Sequence, residues 1–365
     1  MTAPYASILA GLPASTPFVG PETLQRQLGR AYDLRLGANE SSFGISPRVL
    51  AVLQEEAAHA NWYCDAEHFE LKQALCGTLG CDAENIVVGE GIDGLLGLLA
   101  RAYIDPGDAI VTSLGGYPTF NYHVRGYGGR LVEIPYREDF HNDLEGLLEA
   151  ARREKAKLLY LANPDNPTGT LLGREAIAGL LEGLPEGCLL LLDEAYFEFM
   201  PPEALLPVVA EDPRLIRLRT FSKAHGLAGL RIGYALAPAE VSAALDKIRM
   251  HFGVGRLSQI AAAASLGDQA FVSGVIAEVA AGRKDYEALA ESLSLPFIPS
   301  HTNFVALDVG SEERSQAMVR LLHEAGVFVR RPGVPRLGRH VRISVGTRAE
   351  RALLSERFAS VYQEI

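Results

Sequence analysis

Between residues 85 and 237 the chain alternates short, almost wholly apolar runs with longer amphipathic ones. Asn85–Val88, Ala109–Thr112, Arg130–Ile134, Leu158–Ala162, Cys188–Leu192, Leu215–Arg219 and Ile232–Ala237 read as strands. Continuous apolar stretches of this length suit strands buried on both faces. Helical patterns lie between them: from the glycines of GEGIDG (Gly89–Gly94) to about Tyr103, then Leu144–Arg153 and Arg174–Leu181. Pro106-Gly107 supplies a turn. The alternation predicts an α/β fold with a mostly parallel central sheet covered by helices. In such sheets ligands bind beyond the carboxyl ends of the strands.

The pattern differs on either side. Residues 1–29 are rich in Pro, Ser and Thr and read as an N-terminal arm. Leu50–His59 and Phe69–Leu79 read as short helices. After about residue 240 come helical Val241–Arg249 and Ser258–Leu266, then the long amphipathic stretch Val272–Leu293. Asn303–Asp308, the helix Glu312–Glu324 and the strands Val327–Arg330 and Val341–Ser344 follow. The expected division is an arm (1–29), a large domain (30–245) and a smaller C-terminal α/β domain (246–365).

Composition narrows the function classes. With 365 residues and 48% hydrophobic content the chain can bury a substantial core. Its 34 Lys and Arg against 45 Asp and Glu give a net charge of −11, which argues against a non-specific nucleic-acid binder. The four cysteines, Cys64, Cys76, Cys81 and Cys188, form no CxxC pair, so no metal site is expected and a reduced cytoplasmic setting is the simpler reading. No charged segment followed by an apolar one opens the sequence, and the apolar run Leu95–Ile104 is broken by Arg101. Neither a secretory signal nor a membrane partner is expected.

Candidate chemistry lies in the loops that follow the buried strands. NPDNPTG (Asn163–Gly169) follows LLYLA, Asp193 ends LLLLD, and RTFSKAHGLAGLRIG (Arg219–Gly233) follows Leu215–Leu218. If the strands are parallel, all three open at one sheet edge. A lysine there, desolvated and near a cation, loses its proton and can attack a carbonyl to form a Schiff base. The chemistry that fits is that of pyridoxal 5'-phosphate. This cofactor needs a lysine at its aldehyde, an acid at its ring nitrogen, a donor to its phenolate oxygen and a phosphate cup. Lys223 can supply the first and Asp193 the second. Tyr196 and Asn166 can supply the third. Ser222, Arg231 and the backbone amides of Gly91, Ile92 and Asp93 can supply the fourth.

These motifs resemble those of fold-type-I pyridoxal-phosphate aminotransferases, nearest to the histidinol-phosphate aminotransferases. GANESSFG (Gly37–Gly44) resembles that family's NENPFG, and NPDNPTG its NPNNPTG. DEAYFEF resembles DEAYIEF, RTFSKAHGLAGLRIGY resembles RTLSKAFALAGLRxGY, and VRISVGTRAE resembles RITVGTREE. The resemblance implies that Lys223 holds the cofactor and carries the proton, that Asp193 pairs with the ring nitrogen, and that Asn166 and Tyr196 hold the phenolate. It adds Thr220 to Ser222 and Arg231 at the phosphate. It implies a homodimer with shared sites, Tyr63 crossing from the partner subunit to the phosphate, although Cys64 replaces the family's proline. From its PTY segment Phe120 is the aligned ring-stacking residue, with Tyr117 close by.

The implied reaction moves an amino group from a small-molecule donor to a 2-oxo acid, here from L-histidinol phosphate to 2-oxoglutarate in histidine biosynthesis. Arg342 matches a carboxylate-gripping arginine and Arg330 one for phosphate or a distal anion; Asn39 and Glu40 line the pocket. Three departures keep alternatives open. Phe18 stands where the family has a phosphate-contacting tyrosine. The Tyr117–Gly129 segment differs in length. His123 and His225 fall near the site and could favour another amino acid. An aromatic amino acid aminotransferase, a threonine-phosphate decarboxylase-like enzyme and a non-catalytic regulatory relative are the alternatives. A Rossmann dehydrogenase is disfavoured, because that reading leaves Lys223 unexplained.

Overall fold

A computed structural model describes residues 5–12, 19–208 and 212–365. Its large sheet has seven strands in the order Ile86–Gly89, Gly233–Leu236, Leu215–Thr220, Leu189–Asp193, Leu158–Ala162, Ala109–Ser113 and Arg130–Ile134. Gly233–Leu236 runs antiparallel to both neighbours, and the remaining pairings are parallel. The exception follows from the connection. Residues 221–232 contain no crossover helix, so the chain turns back instead of re-entering parallel. Helix Gly91–Tyr103 buries Leu95, Leu96 and Leu99 on one face of the sheet. Helices Leu144–Arg153 and Arg174–Glu182 cover the other with Leu147, Ile177 and Leu180.

A buried ionic cluster aligns the ends of two central strands. Glu194 accepts from Arg217 at 2.7 Å and from Arg219 at 2.8 Å, and all three are almost fully buried. Bidentate pairing satisfies charges that would be costly to bury alone. It ties the residue after Asp193 to the strand that leads to Lys223.

A second, antiparallel sheet joins His340–Ser344, Phe304–Asp308 and Phe297–Ile298. Helices Gln269–Ser292, Glu312–Glu324 and Arg348–Gln363 back it through Val275, Met318, Leu322, Leu354 and Phe358. The last helix was not read from the sequence, although Thr347 and Glu350 form a capping box.

Contacts cross two of the expected boundaries. Leu34–Arg35 pairs with Val327–Phe328, and Leu34 and Leu36 pack in the C-terminal core rather than the large domain. Helix Arg256–Leu266 packs its alanines Ala261, Ala262 and Ala264 with Val49, Leu71 and Leu75 of the large domain. The chain bends by 80° between this helix and Gln269–Ser292. Small side chains permit the close helix approach, and sequence order does not reveal it. In the arm, Ser7–Ala10 and Pro21–Leu28 are helical, while Phe18 lies outside the described residues. No single helix among the described residues is long and apolar enough to cross a membrane.

Candidate active site

The carboxyl ends of the central strands bring Asp193, Thr220 and the NPDNPTG loop to one edge. Asp193 ends its strand almost fully buried. One carboxylate oxygen accepts from the Ala195 amide at 2.9 Å and the other from the Tyr160 hydroxyl at 2.7 Å. Burial pushes its pKa up to about 6, against the pull of those two donors.

Lys223 lies in the loop after Leu215–Thr220. Its Nζ donates to the Asn39 carbonyl at 3.1 Å and lies 5.6 Å from the centre of the Tyr196 ring. Burial first, and the Arg342 charge second, lower its pKa to about 8. A fraction of the amine is therefore neutral near physiological pH, the form that attacks a carbonyl. Gly226 holds the loop in place: its φ is +73°, and a Cβ there would come 2.2 Å from the Gly44 carbonyl oxygen.

Asn39 connects the remaining parts. It sits in the left-handed region at φ 54°. Its amide nitrogen donates to the Tyr196 hydroxyl at 2.9 Å, and its carbonyl also accepts from Asn303 at 3.1 Å. Tyr196 thus accepts from Asn39 and keeps its own proton to donate. Its pKa is pushed up to about 12 by burial. Asn166 accepts from Arg342 through Oδ1, which leaves its NH₂ available.

The phosphate-cup candidates converge. Gly91 opens helix Gly91–Tyr103 with φ +74°, and a Cβ there would lie 2.7 Å from Arg231 Nη2. Thr220 Oγ1 donates to Ser222 Oγ at 2.9 Å and accepts from the Ser222 amide at 3.1 Å. Arg231 is about half exposed, 3.4 Å from Asp93. Ile92 turns its side chain into the core. A helix start, two hydroxyls and an arginine around a place that only glycine leaves open suit a phosphate. Together with the amine and the acid, the residues fit pyridoxal phosphate.

Phe120, expected to stack on the ring, lies in the core. It is fully buried, 5.0 Å from the Tyr160 ring in the core beneath the sheet edge. Pro118 starts helix Pro118–Gly126, which turns Phe120 inward and leaves Tyr117 at the helix entrance. Tyr117 donates to Asp93 at 2.9 Å, so it is the ring placed beside the cup. His123 packs against Gly97 and interacts with Asp93, while His225 lies buried against Ser265 (2.7 Å) and Glu198 (3.6 Å).

Arg330 and Arg342 oppose each other in a backbone bridge that exchanges both hydrogen bonds, at 3.2 and 2.7 Å. Directly opposed residues project to the same face. Arg342 Nη1 and Nη2 reach Asn166 Oδ1 and the Gly37 carbonyl, and its Nε has no acceptor. Burial lowers its pKa to about 10. Arg330 donates to the Val19 carbonyl at 2.8 Å. Glu40 is held by Arg35 through two contacts of 2.7 Å. Tyr63 is 81% exposed, its ring 4.9 Å from that of Phe252, and nothing in the single chain brings it to the cup.

Sequence reasoning missed Tyr160, Asn303 and Ser344. A tyrosine within LLYLA was a detectable signal, since a buried hydroxyl seeks a partner. Asn303 and Ser344, which both bond Asn39, carry no local signal.

Comparisons with known proteins agree with this geometry. Residues 32–358 match the family model for class I and II aminotransferases. Histidinol-phosphate aminotransferase of Moorella thermoacetica is 37% identical over 349 residues, covering 94% of this chain and 88% of that one. Its namesake from Roseiflexus castenholzii is 39% identical, with 93% and 92% covered. The crystal structure of histidinol-phosphate aminotransferase from Sinorhizobium meliloti in complex with pyridoxal-5'-phosphate superposes with a TM-score of 0.96 at 47% identity, over 100% of this chain and 99% of that one. The chain therefore belongs to the class I and II aminotransferases and, within them, to the histidinol-phosphate aminotransferase family.

Proposed function

We propose that the protein transfers the amino group of L-histidinol phosphate to 2-oxoglutarate, giving imidazole acetol phosphate and L-glutamate. The observation that carries the reading is the opposed pair Arg330 and Arg342 beside Lys223. Two cations on one face repel each other, and an anionic substrate group relieves that repulsion. Arg342, with an unspent Nε, suits the carboxylate of glutamate and 2-oxoglutarate in bidentate fashion. Arg330 suits the phosphate or the distal carboxylate. The names of the relatives and the cofactor of the Sinorhizobium structure support the same reading.

Bound in this site, pyridoxal phosphate supplies a carbonyl carbon that receives the amino group and a ring that withdraws electrons from the bond being broken. Thr220, Ser222, Arg231 and the amides of Gly91, Ile92 and Asp93 would hold its phosphate, and Tyr117 is the ring available to stack on it. Asp193 would pair with the ring nitrogen and keep a proton there. Tyr196 and the NH₂ of Asn166 would donate to the phenolate oxygen. Lys223 Nζ would take the proton from the amino-bearing carbon of the donor and later give it back, acting first as base and then as acid. Asn39 orients both Lys223 and Tyr196. The second substrate runs the same residues in reverse.

The test is amino transfer by purified holoenzyme from each donor alone. Rapid conversion with L-histidinol phosphate, far above L-phenylalanine, is expected. Preference for phenylalanine would overturn the substrate assignment and keep the mechanism.

The working unit proposed is a homodimer with shared sites. Trp62, Tyr63, Met250 and Phe252 are each more than half exposed, an apolar surface suited to a second copy. Chains carrying Lys223→Ala retain Tyr63, and chains carrying Tyr63→Ala retain Lys223. A mixed dimer rebuilds one complete site, so random exchange should restore about a quarter of wild-type activity. A mixture no more active than its components would contradict shared sites.

A further inference from the structure

We infer that Tyr160 is a positioning residue for Asp193, its hydroxyl fixing the carboxylate and favouring the ionised form that faces the cofactor's ring nitrogen. The inference rests on the cofactor reading above.

Register places the two side chains together. Ala162 is the partner of Asp193 across the parallel strands, and Tyr160 is the partner of Leu191. Tyr160 is thus two residues from Ala162 and shares its face, a diagonal neighbour within reach of an aromatic side chain. Its hydroxyl donates to Asp193 at 2.7 Å, and the residue is 2% exposed. The Phe120 ring at 5.0 Å fixes the phenol from behind. This gives the inward turn of Phe120 a purpose: it supports the residue that holds Asp193.

The electrostatics agree. Burial holds the Tyr160 phenol well above its ordinary pKa, so it remains a donor. The charged and titratable groups that face Asp193 are Tyr160, Lys223, Asp93 and Tyr196. Lys223 favours the carboxylate and Asp93 opposes it. Burial already raises Asp193, so losing a donor would leave it substantially protonated at neutral pH, and a neutral carboxyl cannot pair with a protonated ring nitrogen.

The experiment uses Tyr160→Phe, which keeps the ring and removes the hydroxyl. In cofactor-free protein, the Asp193 carboxyl carbon is followed against pH by ¹³C NMR, its resonance identified by its absence in Asp193→Asn. Its midpoint should rise by about one pH unit. In the loaded protein, the dissociation constant for pyridoxal phosphate should rise about tenfold. The same change made in Asp193→Asn should have no further effect on that constant. An unmoved Asp193 midpoint, or additive losses in the double variant, would overturn the inference. Should Tyr160→Phe fail to fold, 3-fluorotyrosine at position 160 replaces it; a stronger donor should lower the Asp193 midpoint, and a midpoint unchanged or raised would count against the inference. If the protein binds no pyridoxal phosphate, the cofactor reading fails, while the titration still decides the Tyr160–Asp193 contact.

Discussion

Replacing Lys223 by alanine is expected to lower turnover about 10⁴-fold or more while leaving the fold intact. The side chain has two tasks that no neighbour can assume. Among the described residues it is the only amine at the site with a lowered pKa, about 8, and it donates to the Asn39 carbonyl, which cannot take up a proton. Arg342 stays charged at neutral pH and cannot act as a base. Packing should survive, because Gly226 and the Glu194 cluster fix the loop from either side. Substrate and cofactor should still bind, since their anionic groups are held elsewhere. Single-turnover kinetics check this: the expected loss lies in the chemical step, with a melting temperature near that of the wild type. A residual activity within tenfold of the wild type would remove Lys223 from the mechanism.

Replacing Arg342 by glutamine should act through substrate and through Lys223 together. Loss of a bidentate grip on a carboxylate should cost about 10²–10³-fold in kcat/KM, on the order of 3–4 kcal/mol. The second effect has a definite sign. After burial, the Arg342 charge is the largest influence lowering the lysine pKa. Without it the pKa should rise from about 8 toward its ordinary 10.5. Capture of pyridoxal phosphate needs the neutral amine, so its rate should climb with pH through about 8 in the wild type and at higher pH in Arg342→Gln. Stopped-flow capture kinetics across pH give both midpoints. An unshifted midpoint would mean that Arg342 acts on the substrate alone.

Much of this site was legible because its chemistry sits where apolar strands end. Asp193 and Lys223 break or follow runs such as LLLL and LIRL, and a parallel sheet brings such ends together without further information. The burial of Phe120 was not legible for a local reason: Pro118 begins a helix, and the helical turn sets which way each aromatic points. Tyr160 was passed over because a tyrosine in a strand buried on both faces reads as one more apolar residue unless its hydroxyl's need for a partner is counted. Asn39 and Asn303 meet across 264 residues, a contact that no periodicity encodes. Contacts across the expected domain bounds were illegible for a similar reason. Leu34 and Leu36 lie early in the chain but belong to the C-terminal core, while the alanines of Arg256–Leu266 belong to the large domain.

The central claim is that Lys223 is the amine that holds pyridoxal phosphate in this chain. Borohydride reduction of the loaded protein, followed by peptide mass spectrometry, tests it directly. The expected result is one modified lysine, Lys223, with the label absent when Lys223 is alanine. Stoichiometric labelling of another lysine, or binding of the cofactor with no lysine labelled, would contradict the claim.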